Sequence, residues 1–209
     1  NKKDKKYSII NIGKPNLDSK TEFEVMDNFV YMTRIKPDKI ILQYCGNDIE
    51  GAATANGLIF EGFRPPPEIN KVLMFIGSGS YFLNYIYFLY PREHMGMPSY
   101  ISYLTKAYKN DNILSKHKDD LGMFINYAKG NSIQLIVVVF PFLTDIETSD
   151  SMYVDDIVKY FSDNHISVIN VSPLAKGIPI DERIVNRNDS HPSIKLNRIV
   201  AQEIVNKLQ

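Results

Sequence analysis

Two short motifs, far apart in the chain, hold side chains suited to acid–base and acyl-transfer chemistry. Tyr44-Cys45-Gly46-Asn47-Asp48 follows an apolar run and places an amide side chain at the end of an expected strand. Asn188-Asp189-Ser190-His191-Pro192-Ser193 stands just before the last helical segment, with a carboxylate and an imidazole two residues apart. Cleaving an ester by acyl transfer needs a nucleophile, a base that takes its proton, and donors for the developing oxyanion. Imidazole, carboxylate and amide are groups of the kind that base and donor duties require.

The elements around these motifs must bring them to one side of a fold. Tyr7 to Ile12 reads as a short buried strand ending at Gly13. Ser19-Lys20-Thr21-Glu22 has capping-box spacing, Phe23, Met26 and Val30 recur at helical intervals, and Pro37 ends that helix. Lys39 to Tyr44 is the next strand, and its unbroken Ile40-Ile41-Leu42 suits a parallel sheet covered on both faces. Gly51 to Lys71, with Pro65-Pro66-Pro67, is irregular and leads into the aromatic stretch Tyr81 to Tyr90. Leu121, Phe124, Ile125 and Ala128 mark a helix closed by Gly130-Asn131. Ile133 to Phe140 is the strongest strand, Val154, Ile157, Val158 and Phe161 mark a helix, and Ile166 to Val171 is the last strand. Ile199, Val200, Ile204 and Leu208 line a C-terminal helix. With neither an internal repeat nor a second domain, residues 1–209 read as one α/β domain of three layers with a mostly parallel sheet. Ligands of such sheets bind outside the carboxyl ends of the strands, which is where Gly13, Asn47, Pro141 and the loop carrying Asp189 and His191 fall.

Composition narrows the function classes. The 209 residues suffice for one domain with a substantial core. Lys plus Arg and Asp plus Glu are 24 each, so no general electrostatic pull toward nucleic acid or an anionic membrane is expected. A single cysteine, Cys45, excludes an internal disulfide framework. No targeting signal is visible, because the charged start is followed by a strand-like run rather than an apolar signal core. Val72 to Tyr90 lacks charge over 19 residues, but Gly77-Ser78-Gly79-Ser80, Asn84 and four tyrosines make it a buried or groove-lining helix rather than a membrane span.

Together with Asn11-Ile12-Gly13, the two motifs resemble three of the four blocks of the SGNH (GDSL-like) hydrolases. The resemblance implies a flavodoxin-like SGNH hydrolase fold and an esterase- or lipase-like serine acyl hydrolase. It implies no metal or organic cofactor, and as substrate a small-molecule, carbohydrate or lipid ester. By the same resemblance His191 is the base, Asp189 the acid that orients it, and Asn47 an oxyanion donor through its side-chain amide. Gly13 is the second donor, through its backbone N–H. The chain departs from the family in two places. The usual spacing puts the acid three residues before the His, where Asn188 stands, whereas Asp189 matches the shorter Asp-x-His-Pro form of some members. The Gly-Asp-Ser block with the nucleophile does not occur at all. In the family fold its strand is central, between those ending here at Gly13 and Tyr44. The chain is therefore expected to be N-terminally incomplete, with the nucleophilic serine upstream of Asn1.

Other residues receive plainer readings. Asp48 is expected to cap the turn after its strand. Ser78 and Ser80 fail the Gly-x-Ser-x-Gly nucleophile pattern. Cys45 is expected to be a small core residue rather than a thiol nucleophile. His94, His117 and His165 have no partners at metal-ligand spacing and are expected on the surface or in loops. Three functions remain open: ester hydrolysis, acyl transfer or deacetylation on a carbohydrate or cell-envelope ester, and a non-catalytic binding domain of the same fold.

Overall fold

The computed structural model describes residues 7–60, 79–82, 97–187 and 189–208. The chain builds a mixed α/β structure on a small parallel sheet, and the strand that organises it is β2 (Gln134–Val139). β2 lies between β1 (Lys39–Tyr44) and β3 (Ser167–Asn170), parallel to both, with Ile41 opposite Ile136 and Val137 opposite Val168. Its side chains alternate into two cores. Leu135, Val137 and Val139 join one cluster, and Ile136, Val138 and Phe140 join the other. The continuous apolar run Leu135-Ile136-Val137-Val138-Val139 is what a strand covered on both faces requires.

Helices supply the cover. On one face lie α1 (Ser19–Thr33), α2 (Glu50–Ala55), α3 (Met97–Tyr108) and α4 (Asp111–Asn131), through residues such as Met26, Ala53, Leu104 and Phe124. Further along the chain, α5 (Ile146–Ser149) continues through a π-helical turn (Asp150–Val154) into α6 (Asp155–Asp163), which adds Ile157 and Phe161 to that face. On the other face lie α7 (Ser172–Lys176) and α9 (Ile194–Leu208), which contribute Ala175, Leu196 and Val200. Between them α8 (Ile180–Arg183) leads into a two-stranded antiparallel hairpin, β4 (Ile184–Asn186) and β5 (Asp189–Pro192).

Local chemistry sets the helix ends. Asp18, one residue before Ser19, caps α1: its Oδ1 accepts from the Thr21 amide at 2.9 Å and from the Thr21 hydroxyl at 3.0 Å. The helix stops at Arg34, left-handed at φ 58°, before Pro37 is reached. The Asn110 side chain caps α4, accepting from the amides of Asn112 and Ile113. Ser132, at φ 55°, closes that helix one residue after the expected Gly130-Asn131.

Residues 7–12 are not a strand. They make no backbone–backbone hydrogen bond among the described residues, and Ile9 is 85% exposed. The segment nonetheless runs beside the sheet in a definable direction. The Tyr7 hydroxyl donates to the Leu208 carbonyl at the end of α9, and the Gln134 side chain at the start of β2 donates to Lys207. Tyr7 therefore lies at the amino end of the sheet. Asp18 lies at the carboxyl end, its carboxylate against Gly51 just after the β1 turn. Between them Ile12 packs on the core that holds Leu42 and Tyr44. The segment thus climbs in the same sense as β1 without pairing to it. β1 pairs on one side only among the described residues, and Ile41 is 45% exposed.

The close of β1 is packed without slack. A Cβ built on Gly46 would stand 2.7 Å from the Tyr153 ring and 2.8 Å from the Phe142 ring. Tyr153 cannot yield, because it is fully buried and its hydroxyl is anchored on the Phe140 carbonyl at 2.6 Å. Gly46→Ala is expected to cost about 1–3 kcal/mol, the range for overpacking a filled core. Urea unfolding of the variant beside the parent chain measures it.

Candidate active site

Parallel pairing puts the carboxyl ends of β1, β2 and β3 on one edge of the sheet. Asn47 stands on that edge, in a 3-10 turn (Gly46–Ile49) directly after β1. Asp189 and His191 reach it by another route. The end of α9 is tied to the start of β2 through Lys207 and Gln134, and α9 packs Leu196 and Val200 along Ile136, Val138 and Phe140. Fifteen helical residues rise about 22 Å, roughly the length of a six-residue strand, so α9 begins near the carboxyl end of β2. The β5 residues that precede it sit at the same edge.

Sequence reasoning placed Asp189 and His191 in a loop, whereas they form β5 of the hairpin. A polar Asp-Ser-His-Pro run carries no strand signal of its own. The hairpin exists because Asn186 pairs with Asp189 and Ile184 with Pro192, and because Ser193 is pinned after it. The Ser193 amide donates to Arg183 at 2.9 Å, its hydroxyl donates to Glu182 at 2.5 Å, and that hydroxyl accepts from the Leu196 amide at 3.2 Å. Asn188, the alternative partner of His191, lies outside the described residues, as do Ser78 and His94.

Asp189 and His191 are joined directly. Asp189 Oδ1 accepts from the His191 amide at 3.0 Å and meets His191 Nδ1 at 2.6 Å. A carboxylate only accepts, so Nδ1 carries the proton and Nε2 of the neutral ring is left with its lone pair. The two His191 bonds, the backbone one first, hold the Asp189 carboxyl below its ordinary value. The His191 side chain is 87% exposed, so Nε2 is open to solvent and to any reactant. This is the arrangement a general base needs.

Around Asn47 the backbone is fixed more firmly than the side chain. Asp48 Oδ2 accepts from the Cys45 amide at 2.9 Å, the turn-capping role expected of it. The Asn47 amide group makes no side-chain hydrogen bond among the described residues and is half-buried, so its donors are unspent. Gly13 is less ready. Its N–H donates to Asn11 Oδ1 at 3.0 Å, and the residue is exposed. Burial pushes the Cys45 thiol up to about 12, which removes it as a thiolate nucleophile near neutral pH.

Two features of this edge have no counterpart in the sequence reading. Asp18, Glu22, Asp48 and Glu50 converge beside the turn. Burial, then Asp18, pushes the Glu22 carboxyl up to about 7, and burial, then Glu22, holds Asp48 well above the carboxylate range. His117, expected on the surface or in a loop, is instead in α4 and fully buried, 2.9 Å from the Tyr44 hydroxyl. Burial drives its pKa down to about 3. His165 is exposed, as expected. Among the described residues no group of His, Cys, Asp and Glu could hold a metal ion, and no helix is long and apolar enough to cross a membrane. Most of the stretch from Val72 to Tyr90 lies outside those residues.

Comparison with protein-family models, with curated proteins and with solved structures finds no match to this chain.

The Glu22 shift has a signed consequence. Unfolded, this carboxyl titrates near 4.5, and folded near 7, so between those values the native state holds the extra proton. Its contribution to stability is complete below pH 4.5 and is lost as pH rises through 7. Glu22→Gln is expected to gain about 1–2 kcal/mol relative to the parent chain between pH 4.5 and 8, discounted for the water that still reaches the side chain. Urea unfolding of both proteins across that range decides it, and parallel pH profiles would contradict it.

Proposed function

We propose that this chain carries the base and oxyanion side of a serine ester hydrolase of the SGNH type, its nucleophile supplied by sequence preceding Asn1. The single observation that carries the reading is the Asp189–His191 contact at 2.6 Å, which leaves a basic Nε2 open at the edge where Asn47 offers an unspent amide. The serine attacks the ester carbonyl while His191 Nε2 takes its proton. Asp189 steadies the imidazolium, and the oxyanion meets the Asn47 amide. Collapse of the tetrahedral species expels the alcohol, which receives the proton from His191. Water then repeats the sequence to release the acid.

The side of β1 that no described residue pairs supports the same reading. A strand seated between β1 and residues 7–13 would run parallel to both and end between Asn47 and Gly13. It would also cover Ile41 and Ile9, which are otherwise exposed. The open setting of His191 leaves room for a second hydroxyl in place of water, so acyl transfer to or from a carbohydrate is the second reading, served by the same groups. The substrate in either case is a small-molecule, carbohydrate or lipid ester.

Full-length protein is expected to react covalently with a fluorophosphonate at a serine upstream of Asn1. Peptide mapping of the adduct to Ser78, Ser80 or Cys45 would refute the assignment. Asn47→Ala is expected to lower kcat on a short aryl ester by about 10²–10³ with little change in KM, the effect of removing one preorganised oxyanion donor. His191→Ala should lower kcat further, and Asp189→Asn by an intermediate amount. Steady-state kinetics of the three variants test the order. A fully active His191→Ala variant would end this reading.

A further inference from the structure

Beneath the Asn47 turn lies a buried chain of hydrogen bonds that the mechanism above does not use. The Tyr108 hydroxyl donates to the Gly46 carbonyl at 3.0 Å, Tyr44 and Tyr108 hydroxyls meet at 2.6 Å, and Tyr44 meets His117 Nε2 at 2.9 Å. All three side chains are buried. The proton count allows one arrangement that makes every bond. The Gly46 carbonyl only accepts, so it takes Tyr108's single hydrogen. Tyr44 must then donate to Tyr108, and His117 must donate from Nε2 to Tyr44.

We propose that His117, as the neutral Nε2–H tautomer, acts through Tyr44 and Tyr108 as the positioning residue for the Gly46–Asn47 peptide and so for the Asn47 amide. This rests on Asn47 being an oxyanion donor. The peptide is held through its carbonyl. That carbonyl is drawn into the core by Tyr108. A planar trans peptide whose carbonyl is anchored gives the Asn47 Cα a set direction, and the amide then swings only through its own two torsions. The position of His117 on α4 links that direction to a helix whose Leu121, Phe124 and Ile125 anchor the same core. Deep burial lowers the His117 pKa and keeps the ring neutral, so the Nε2–H tautomer rather than an imidazolium makes the donation.

The experiment has two arms on full-length protein. In ¹⁵N NMR of labelled protein, the His117 ring is expected to show a protonated Nε2 and an unprotonated Nδ1. In a double-mutant cycle, Tyr108→Phe is expected to lower kcat by about 10- to 100-fold with KM nearly unchanged, the scale of a misplaced catalytic group. In an Asn47→Ala background the same change should lower kcat less than 3-fold, because the group it positions is gone. A merely structural Tyr108 would give equal losses in both backgrounds, and that result would overturn the proposal. So would a protonated Nδ1 with the parent protein's turnover intact. Absence of turnover and of fluorophosphonate labelling in the parent protein would instead overturn the esterase reading, and the catalytic purpose of the chain with it.

Discussion

The rest of the structure depends on β2 being paired in parallel on both sides and buried on both faces. Parallel pairing leaves the strand ends no freedom. Every carboxyl end must emerge at one edge, and every connection must return across a face. The helices that cover Leu135, Val137 and Val139 carry the return from β1, and α9 closes the opposite face over Ile136, Val138 and Phe140. Asn47 and the Asp189–His191 pair, some 140 residues apart, share an edge for this reason alone. β1 meets the constraint by half: its inner edge is satisfied by β2, while its outer edge and Ile41 are not covered by any described residue.

Two histidines near this edge show how environment assigns roles to one side chain. His191 is exposed, and a carboxylate at Nδ1 fixes the tautomer that leaves Nε2 basic. His117 is buried, and a row of phenols ending on a carbonyl fixes the opposite tautomer, with Nε2 a permanent donor. Burying an imidazole, two hydroxyls and the Asp48 carboxyl beneath one turn is costly unless each is bonded. Each of them is: the three hydroxyl and ring groups form one directed chain, and Asp48 accepts from Cys45. Such a network gives a unique arrangement where a purely apolar core would tolerate several.

What the sequence reveals here follows the length and independence of each signal. β1, β2, α6 and α9 could be read because their apolar periodicity survives without knowledge of neighbours. Residues 7–12 have a strand's pattern, but a strand is defined by its partner, and β1 does not bond to them. The hairpin at Ile184–Asn186 and Asp189–Pro192 was hidden for the converse reason, since its polar residues pair through turn geometry and the pinned Ser193. Asp18 rather than Ser19 caps α1, a shift of one residue between two equally good capping types. His117 carried a signal that was missed. It stands four residues after Ile113 and four before Leu121, on the face of α4 that both bury. Nothing in the sequence marks the convergence of Asp18, Glu22, Asp48 and Glu50, which needs α1 and the β1 turn placed side by side.

The weakest member of the proposed oxyanion site is Gly13, and the reason is local. Its N–H is occupied by Asn11 in an exposed turn, a bond worth about 0.5–1.5 kcal/mol net. A charge-assisted bond is roughly twice as strong as a neutral one, so on the proposed reading an oxyanion would displace the Asn11 side chain. Neighbouring parallel strands lie about 4.8 Å apart. A strand filling the side of β1 that no described residue pairs would bring the residue at its carboxyl end within about that distance of both the Asn47 turn and the Gly13 segment. The same strand would remove water from Ile41 and Ile9, lowering the local dielectric where the oxyanion forms. On this reading the edge of β1 that no described residue pairs and the unspent Asn47 amide are one feature, because the element that completes the core would also deliver the nucleophile.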